Sequence, residues 1–293
     1  MRWLSTPWKV FILLAPTVVF FTIFVAYPVL YSLWYSFTDF LGFGPAKFVG
    51  LANYTKLFTD PLFWLSLRNT GVVLAISVFV VIPVAFLLAL LLRKPFRGAG
   101  ILRALIFAPG IFAPILIGLV WVFILDPSVG LLNGTFSALG LNWSPRWIGG
   151  GNVLSAISIA VVFAWSTVGF AMTIFYAGLQ VVPADVMEAS SLDGATSRQQ
   201  TLFVVVPMMR QTFAITAVLV VTNALKIFEL VYQLTGGGPV HKSEVLVSYM
   251  YFITFSGQEY GRGMAFAVVI TLLGAISSLG YLLILRRQRG ALA

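Results

Sequence analysis

The stretch VFILLAPTVVFFTIFVAYPVLYSLWYSFT, residues 10–38, contains no charged side chain. A helix crosses the hydrocarbon core of a bilayer with roughly 20 apolar residues, so this stretch is long enough to form a transmembrane helix. We expect a retained helix and not a signal peptide, because a signal peptide has an apolar core of only about 7–15 residues and ends at a small-residue cleavage site. Pro16 and Pro28 predict kinks within this helix.

Similar apolar stretches recur along the 293-residue chain, of which 60% is hydrophobic and only 9% is charged. A soluble domain contains about 25% charged residues. The apolar runs are continuous, which favours helices over the alternating pattern of membrane strands. The sequence therefore predicts an all-α membrane protein, with one transmembrane domain over residues 1–293. The six spans are predicted at about residues 10–36, 70–92, 104–125, 153–179, 207–234 and 263–285.

The chain contains no cysteine and only one histidine, His241. Disulfides, thiolate ligands and cysteine nucleophiles are therefore excluded, and so is a metal site built from several histidines. We predict no catalytic residue and no metal site. The formal net charge of +9 does not indicate nucleic acid as a partner, because the basic residues cluster at the ends of the apolar segments, as topology determinants do.

Lysine and arginine are distributed unequally between the two sets of segment ends. Under the positive-inside rule, the richer set is cytoplasmic, which predicts that both termini lie in the cytoplasm. The richer set contains Arg2, Lys9, Arg93, Lys94, Arg97, Arg103, Arg198, Arg210, Arg286, Arg287 and Arg289. The poorer set contains Lys47, Lys56, Arg68, Arg146, Lys242 and Arg262.

The inside loop between the fourth and fifth predicted spans reads VPADVMEASSLDGATSRQQTLFVVVP over residues 182–207. Asp185 followed by Glu188 has the spacing of a capping box and predicts the start of a short helix. Gly194 permits a left-handed turn. Ser197 followed by Gln200 repeats the capping-box spacing and predicts a second helix. Loop 183–206 is therefore predicted to form a helix, a glycine turn and another helix.

The first of these loop helices carries a modest apolar surface. It consists of Val186, Met187, Ala189 and Leu192. A solvated connector between two spans is one interpretation of the loop. A connector does not require two caps, a glycine turn and an exposed apolar surface, whereas a helix that docks in the groove of a partner does.

The same loop resembles the cytoplasmic loop of ABC importer permeases. That family has the pattern Glu-Ala-Ala, three residues, Gly, nine residues, Ile-x-Leu-Pro. Here Glu188, Ala189 and Ser190 match the first positions and Gly194 follows at the right distance. The end of the pattern is matched by Val204, Val206 and Pro207, with Ser for the second Ala and Val for Ile and Leu.

The resemblance implies that the loop is a coupling helix that docks in a separate ATPase subunit. The implied coupling residues are Glu188, Ala189, Ser190, Asp193, Gly194 and Pro207. It also implies that ATP and Mg are used by the ATPase, and that this chain itself binds no cofactor. The implied partners are a second permease subunit in a heterodimer, two ATPase subunits, an extracytoplasmic substrate-binding protein and membrane lipid. The implied location is the plasma (inner) membrane of a bacterium or archaeon.

Two further segments resemble the carbohydrate branch of this family. They are KIFELVYQLTGGGP, residues 226–239, and EVLVSYMYFITFSGQEYGRGMAFAVVI, residues 244–270. The stretch at residues 48–70 also resembles the family's approach to its second span. The Gly-Gly-Gly-Pro sequence is typical of the first of two paired permeases of the maltose and glycerol-3-phosphate type. The resemblance thus implies a sugar or sugar derivative as substrate, with a non-sugar solute as the alternative.

A phosphate-binding loop is not predicted for GGGPVHKS, residues 236–243. The G-x-x-x-x-G-K-[ST] pattern requires Gly before Lys, and His241 occupies that position. The sequence has no other match to this pattern, so ATP hydrolysis is expected in another polypeptide. We interpret residues 236–243 as a structural loop.

Ionisable residues inside a span are candidates for function, and Lys226 and Glu229 meet this criterion. Together with Asn223 they are spaced three apart, which predicts one polar face that contacts substrate hydroxyls. The alternative is a Lys–Glu pair that holds the helix near the interface. Trp121, Trp165 and Tyr176 are candidates for stacking on sugar rings, or else belong to the packing and lipid-facing aromatics.

Two other classes of protein fit the sequence less well. A secondary transporter needs acids or histidines in mid-membrane, and five of the six predicted spans contain none. A membrane-embedded enzyme needs a nucleophile with a base, or metal ligands. This chain has no Cys, and its one His is predicted to lie outside the membrane. A secondary transporter would also leave the loop at residues 183–206 unexplained.

Overall fold

The computed structural model describes residues 7–94, 96–150 and 153–290. In these ranges the chain is built of helices, and an antiparallel bridge joins Thr38 to Phe48. The helices are α1 (Val10–Tyr35), α2 (Ala52–Thr59), α3 (Pro61–Leu91), α4 (Ala99–Ile111), α5 (Pro114–Leu125), α6 (Leu131–Ala138), α7 (Val153–Gln180), α8 (Ala184–Leu192), α9 (Ser197–Met208), α10 (Arg210–Leu225), α11 (Glu229–Thr235), α12 (Leu246–Ser256) and α13 (Tyr260–Gly290).

Four helices are long and apolar enough to cross a membrane: α1, α3, α7 and α13. Two further pairs reach that length only together, and each pair is sharply bent: α4 meets α5 at 99° and α9 meets α10 at 70°. By length and composition, the described residues thus contain four candidate spans, or up to six if each bent pair is one broken span. The prediction of an all-α membrane protein is confirmed. The count of six and the single domain over residues 1–293 stay predictions.

The third predicted span is broken between α4 and α5. The α-helix changes to a 3₁₀ turn over Ala108–Ile111, and the backbone then becomes extended at Phe112 and Ala113, where ψ is 145° and 136°. Pro114 explains this break, because a proline disfavours helical geometry in the residue before it and is well suited to the first turn of the next helix.

The fifth predicted span, at about residues 207–234, differs from a continuous helix. The helix α10 ends at Leu225, and Phe228 has φ −138° and ψ −65° before α11 begins at Glu229. The backbone turns so that Ile227 is buried while Lys226 and Glu229 stay exposed. Glu229 then lies in the first turn of α11, where the helix dipole favours a carboxylate.

Wide π-helical turns precede three prolines inside long helices. These turns cover Thr22–Ala26, Ser77–Val81 and Gln200–Val205, and they end two residues before Pro28, Pro83 and Pro207. A proline has no N–H and its ring clashes with the carbonyl four residues earlier, and an extra residue in the turn relieves this clash. The helix thus has a wide turn before Pro28, while Pro16 lies within regular α-helix, and the kinks at these two residues stay predictions.

The chain divides into two compact units. The first contains Met1–Asp60 and Met250–Thr271, and the second contains Pro61–Tyr249 and Leu272–Ala293.

In the first unit, the Asn53 side chain is buried and ties the loop after α1 to α2. Its Nδ2 donates hydrogen bonds to the carbonyl oxygens of Ser36 at 2.9 Å and Thr38 at 2.8 Å. Arg262 of α13 forms an ion pair with Asp60. These contacts hold together the loop after α1, the helix α2 and the start of α13.

In the second unit, α7 is the central helix, and α3, α4 and α10 pack on it. Phe86 of α3, Phe175 of α7 and Phe213 of α10 meet with ring centroids 4.7–5.5 Å apart. Phe175 is fully buried, and offset or tilted aromatic pairs of this kind add to the stability given by their burial. The core of the second unit therefore lies along α7.

Glu244, only 3% exposed, organises the loop between α11 and α12. Its carboxylate accepts a hydrogen bond from Ser248 Oγ and lies 3.0 Å from His241 Nδ1. Its backbone carbonyl accepts from Asn69 Nδ2 at 2.8 Å. A Cβ atom at Gly237 would lie 2.0 Å from Glu244 Oε1, so only glycine fits there. This arrangement agrees with the interpretation of residues 236–243 as a structural loop.

Candidate functional site

Helix α8 ends in a glycine turn, as predicted. Gly194 has φ +79°, in the left-handed region. The Ala195 N–H donates to the Ser190 carbonyl at 3.0 Å, and the Gly194 N–H donates to the Ser191 carbonyl at 3.1 Å. These two bonds form a Schellman motif, which satisfies carbonyls at the end of a helix and requires a left-handed residue. The turn therefore has a definite geometry and depends on Gly194.

The caps of the two loop helices differ from the prediction. Pro183 occupies the cap position of α8, and Asp185 lies in its first turn without forming a cap. The capping box at the start of α9 is formed by Thr196 and Gln199, one residue earlier than the predicted pair Ser197 and Gln200. The capping residue is the extended residue that directly follows the preceding turn. Here the glycine turn ends before Thr196, so Thr196 caps the helix.

Gln200 connects the two loop helices, a role that the sequence did not indicate. Its Nε2 donates to Ser191 Oγ at 2.7 Å and to Ser190 Oγ at 3.1 Å. Both hydroxyls donate in turn to the Met187 carbonyl, at 2.8 and 2.9 Å. Ser190 and Ser191 are thus used within the segment, and α8 and α9 are joined by side chains as well as by the turn.

The surface of the α8–α9 segment is open. In α8, all of whose residues are described, no side chain is buried. Leu192 is 89% exposed and Phe203 is 74% exposed. Glu188 and Asp193 are exposed, and among the described residues they form no hydrogen bond or ion pair with a side chain. Exposed apolar side chains next to unpaired acids are typical of a surface that another protein covers.

Two breaks in the helices, one between α4 and α5 and one between α10 and α11, meet at a cavity of about 510 Å³, which we call cavity A. Non-helical backbone at membrane depth is tolerated where it lines a cavity, and both breaks, at residues 108–113 and 226–228, lie on this one. Its aromatic lining consists of Phe107, Phe112, Phe163 and Phe170. Its polar lining consists of Ser166, Thr167, Asn223, Lys226 and Glu229.

Asn223, Lys226 and Glu229 therefore reach one cavity, although they do not lie on one helix. Asn223 belongs to α10, Lys226 follows its end and Glu229 begins α11. Among the described residues, Lys226 and Glu229 form no ion pair with each other. The face of one helix was the wrong reason for grouping these three residues, and the break between the helices is what brings them together.

A second cavity of about 400 Å³, cavity B, lies beside α4 and α7. It is lined by Gly100, Arg103, Ala104, Phe107, Met172, Thr173 and Tyr176. The Arg103 guanidinium lies 4.6 Å from the centre of the Tyr176 ring, a cation–π contact. Tyr176 therefore lines cavity B and not cavity A.

Trp121 and Trp165 form an edge-to-face pair with ring centroids 5.5 Å apart. They do not belong to the lining of cavity A or cavity B. Trp121 packs against the core, and Trp165 is 44% exposed. Their placement favours packing over contact with a solute in a cavity.

The sequence reasoning missed the aromatic and hydroxyl lining that α4 and α7 contribute. Phe107, Ser166, Thr167 and Phe170 are ordinary residues of apolar stretches, and no spacing marks them. The signal that was available is Pro109-Gly110 followed by Pro114, since an apolar segment interrupted by Gly and Pro indicates a broken helix beside a binding site.

Comparison with known proteins agrees with this architecture. Residues 81–290 match the family model "Binding-protein-dependent transport system inner membrane component". The chain is similar to the probable ABC transporter permease protein YurN of Bacillus subtilis, with 32% identity over 92% of this chain and 93% of the relative. It is 29% identical to the trehalose/maltose transport system permease protein MalF of Thermococcus litoralis, over 95% of this chain and 94% of the relative.

A solved structure has the same fold. A chain of the bacterial alginate ABC transporter, crystallised in complex with an alginate pentasaccharide-bound periplasmic protein, superposes with a TM-score of 0.84. Its sequence identity is 20%, and the match covers 98% of this chain and 96% of the other. The family model alone spans more than half of the sequence. The chain therefore belongs to the family of binding-protein-dependent transport system inner membrane components.

Proposed function

We propose that this chain is a permease subunit of an ATP-driven ABC importer for a sugar or sugar derivative, and that it forms one half of the translocation pathway. The observation that carries this proposal is that two breaks in the helices, at residues 108–113 and 226–228, open onto cavity A in a chain of the permease family. Unwound backbone and half-helix ends at one cavity are the arrangement with which membrane transporters hold a solute.

The chemistry of cavity A favours a sugar. The phenyl rings of its lining offer flat apolar faces for the C–H side of a sugar ring. Asn223, Lys226, Glu229, Ser166 and Thr167 offer donors and acceptors for hydroxyl groups. The relative from Thermococcus litoralis is named for trehalose and maltose, which supports the same substrate class. A non-sugar solute remains the alternative reading of the same polar groups.

The α8–α9 segment is the proposed contact with a separate ATPase subunit. Glu188, Ala189, Ser190, Asp193, Gly194 and Pro207 are the proposed coupling residues. Leu192 and Phe203 supply the exposed apolar surface for a groove in the ATPase. Because ATP and Mg are bound by that partner, this chain needs no cofactor of its own. Two ATPase subunits would serve two different permease chains.

The proposed orientation places both termini and the α8–α9 segment in the cytoplasm, because the lysines and arginines are concentrated at those ends. An extracytoplasmic binding protein then delivers the solute from the other side. Cavity B, which contains Arg103, lies towards the cytoplasm, and cavity A lies towards the middle of the membrane. Closure of the ATPases moves α8 and α9 as one body, since the glycine turn and Gln200 join them. The coupling is mechanical.

Purification of the tagged chain from its native membrane tests this proposal. We expect a second permease chain and an ATPase to copurify, and uptake of a radiolabelled sugar into proteoliposomes to require ATP. Gly194→Pro and Glu188→Lys should each abolish uptake while leaving the amount of protein in the membrane unchanged. Gly71→Ala is the matched control, because a Cβ at Gly71 meets no atom within 4 Å. Uptake by the isolated chain without ATP would refute the proposal in favour of a gradient-driven carrier.

A further inference from the structure

Phe107 lines both cavities. It belongs to the lining of cavity A, with the aromatic residues of the two breaks, and to the lining of cavity B, with Arg103 and Tyr176. Among the described residues, it is the side chain that these two linings share. Its side chain is half-buried, so the ring is in contact with its surroundings and yet retains open space on both sides.

The backbone of α4 is held at this point by a close contact with α7. A Cβ atom at Gly169 would lie 2.2 Å from the Ile106 carbonyl oxygen and 2.7 Å from Phe107 Cα. No side chain fits between them, so glycine at position 169 lets the two helices touch backbone to backbone. This contact holds the Phe107 Cα in place. The Phe107 ring is therefore the part of the residue that can move.

Residues of α7 define where along this helix the boundary between the two cavities lies. Ser166 lines cavity A and Thr173 lines cavity B. They are seven residues apart, which is two helical turns or about 10 Å along one face of the helix. Gly169, which carries the contact with α4, lies between them. The partition between the two cavities is therefore at the level of Phe107.

We infer that the Phe107 side chain is the barrier between cavity A and cavity B, and that its displacement joins them into one path along α7. This inference rests on the pathway and orientation of the proposed function. An apolar ring across a narrow path stops hydrated solutes, because water leaves an apolar constriction and the solute cannot replace its hydrogen bonds there. Ser166 and Thr173 lie on either side. Their hydroxyls donate to the carbonyls of Phe163 and Gly169, and the hydroxyl oxygens can still accept hydrogen bonds from a solute.

The break after α4 is compatible with this movement. The ring stands one residue before the 3₁₀ turn Ala108–Ile111, after which the chain is extended and turns by 99° into α5. A bend at such a junction changes the direction of α4 without breaking the hydrogen bonds of a continuous helix. Bending of the chain after Phe107 is therefore expected to let the ring rotate across or away from the path, while the α4 backbone stays held at Gly169.

The absence of cysteine from the sequence makes a direct test possible. Single cysteines are introduced as Ser166→Cys in cavity A and Thr173→Cys in cavity B, in the assembled complex. Inside-out membrane vesicles are treated, without ATP, with a membrane-impermeant methanethiosulfonate. Labelling of this chain is followed by mass spectrometry. Thr173→Cys should react readily from this face, and Ser166→Cys should react about tenfold more slowly because the ring lies between them.

Adding Phe107→Ala should raise the labelling rate of Ser166→Cys to about that of Thr173→Cys, and adding Phe107→Trp should lower it further. The matched control is Phe112→Ala, since Phe112 lines cavity A alone and is 60% exposed. Phe112→Ala should leave the labelling rate of Ser166→Cys within about twofold of its value with Phe112, as expected for a residue away from the constriction. Equal labelling of Ser166→Cys with Phe107 and with Phe107→Ala would overturn the inference.

A failure of the proposed function would give a different pattern. If cavity B did not face the cytoplasm, Thr173→Cys would stay unlabelled from this face whatever residue occupies position 107. That result would overturn the proposed orientation, and with it the pathway on which the barrier depends. Labelling of Thr173→Cys together with an unchanged rate at Ser166→Cys would overturn the barrier alone.

Discussion

The Gln200 side-chain amide donates a hydrogen bond to Ser191 Oγ at 2.7 Å, across the turn that joins α8 to α9. The same amide reaches Ser190 Oγ at 3.1 Å. The two helices are thereby connected at a second point besides the backbone. Under the proposed function this segment transmits force from an ATPase subunit, which requires it to move as a unit, and this pair of contacts gives it stiffness.

We expect Gln200→Ala to weaken coupling. Removing the amide loses hydrogen bonds worth about 1 kcal/mol in total, because they are partly exposed, and ATP-dependent uptake should fall about fivefold. Hydrolysis of ATP should continue, now less dependent on substrate. The measurement is uptake and ATPase activity of the same reconstituted complex. Gln211→Ala, an exposed glutamine of α10, is the control and should change neither. Normal uptake by Gln200→Ala would show that the backbone turn alone is sufficient.

Gly194 has φ +79°, a conformation that costs a residue with a Cβ atom about 1–2 kcal/mol. Gly194→Ala should therefore reduce copurification of the ATPase and uptake, whereas Gly194→Asn should retain more of both, because asparagine tolerates the left-handed region. A Cβ at this position meets no atom within 4 Å, so the effect is one of conformation and not of space. Equal behaviour of the alanine and asparagine variants would argue against a conformational requirement.

Glu244 is a structural residue in the loop between α11 and α12. Glu244→Ala should leave Ser248 and His241 without their carboxylate partner in a buried site. The expected loss is about 1–3 kcal/mol of unfolding free energy. It would be measured as a lower melting temperature in detergent. Glu259→Ala serves as the comparison, because the Glu259 side chain is 47% exposed and its ion pair with Arg262 is long, at 3.4 Å. An unchanged melting temperature for Glu244→Ala would contradict the structural role.

Lys226 and Glu229 are predicted to contact the solute. Lys226→Met and Glu229→Gln should each raise the substrate concentration needed for half-maximal uptake by about tenfold or more, since a lost hydrogen bond to a charged group is worth about 1.5–3 kcal/mol. Assembly of the complex should be unaffected. Lys242→Met, which removes a charge outside cavity A, is the control. If the double variant restored uptake that either single variant had lost, the two side chains would act as a pair and not through the solute.

The sequence determined the class of fold and the position of the glycine turn between α8 and α9. Long uncharged stretches can satisfy their backbone in a bilayer only as helices, so composition and length were sufficient to predict an all-α membrane protein. The turn at Gly194 was also predictable, because the left-handed position that ends a helix is most often occupied by glycine. The capping box was displaced by one residue, to Thr196 and Gln199, since the start of a helix depends on how the preceding turn closes.

The tertiary structure decided which residues line the cavities. An apolar span gives no periodic signal for which face meets a neighbour, so the contributions of Phe107, Ser166 and Phe170 became visible only when α4 had packed on α7. The contact of Gly169 with Ile106 is of the same kind, because it joins residues far apart in sequence. Likewise, Lys226 and Glu229 share a cavity because the helix breaks between them. Such breaks are stable only where surrounding helices leave a space for the exposed backbone, and that space is a property of the packed bundle.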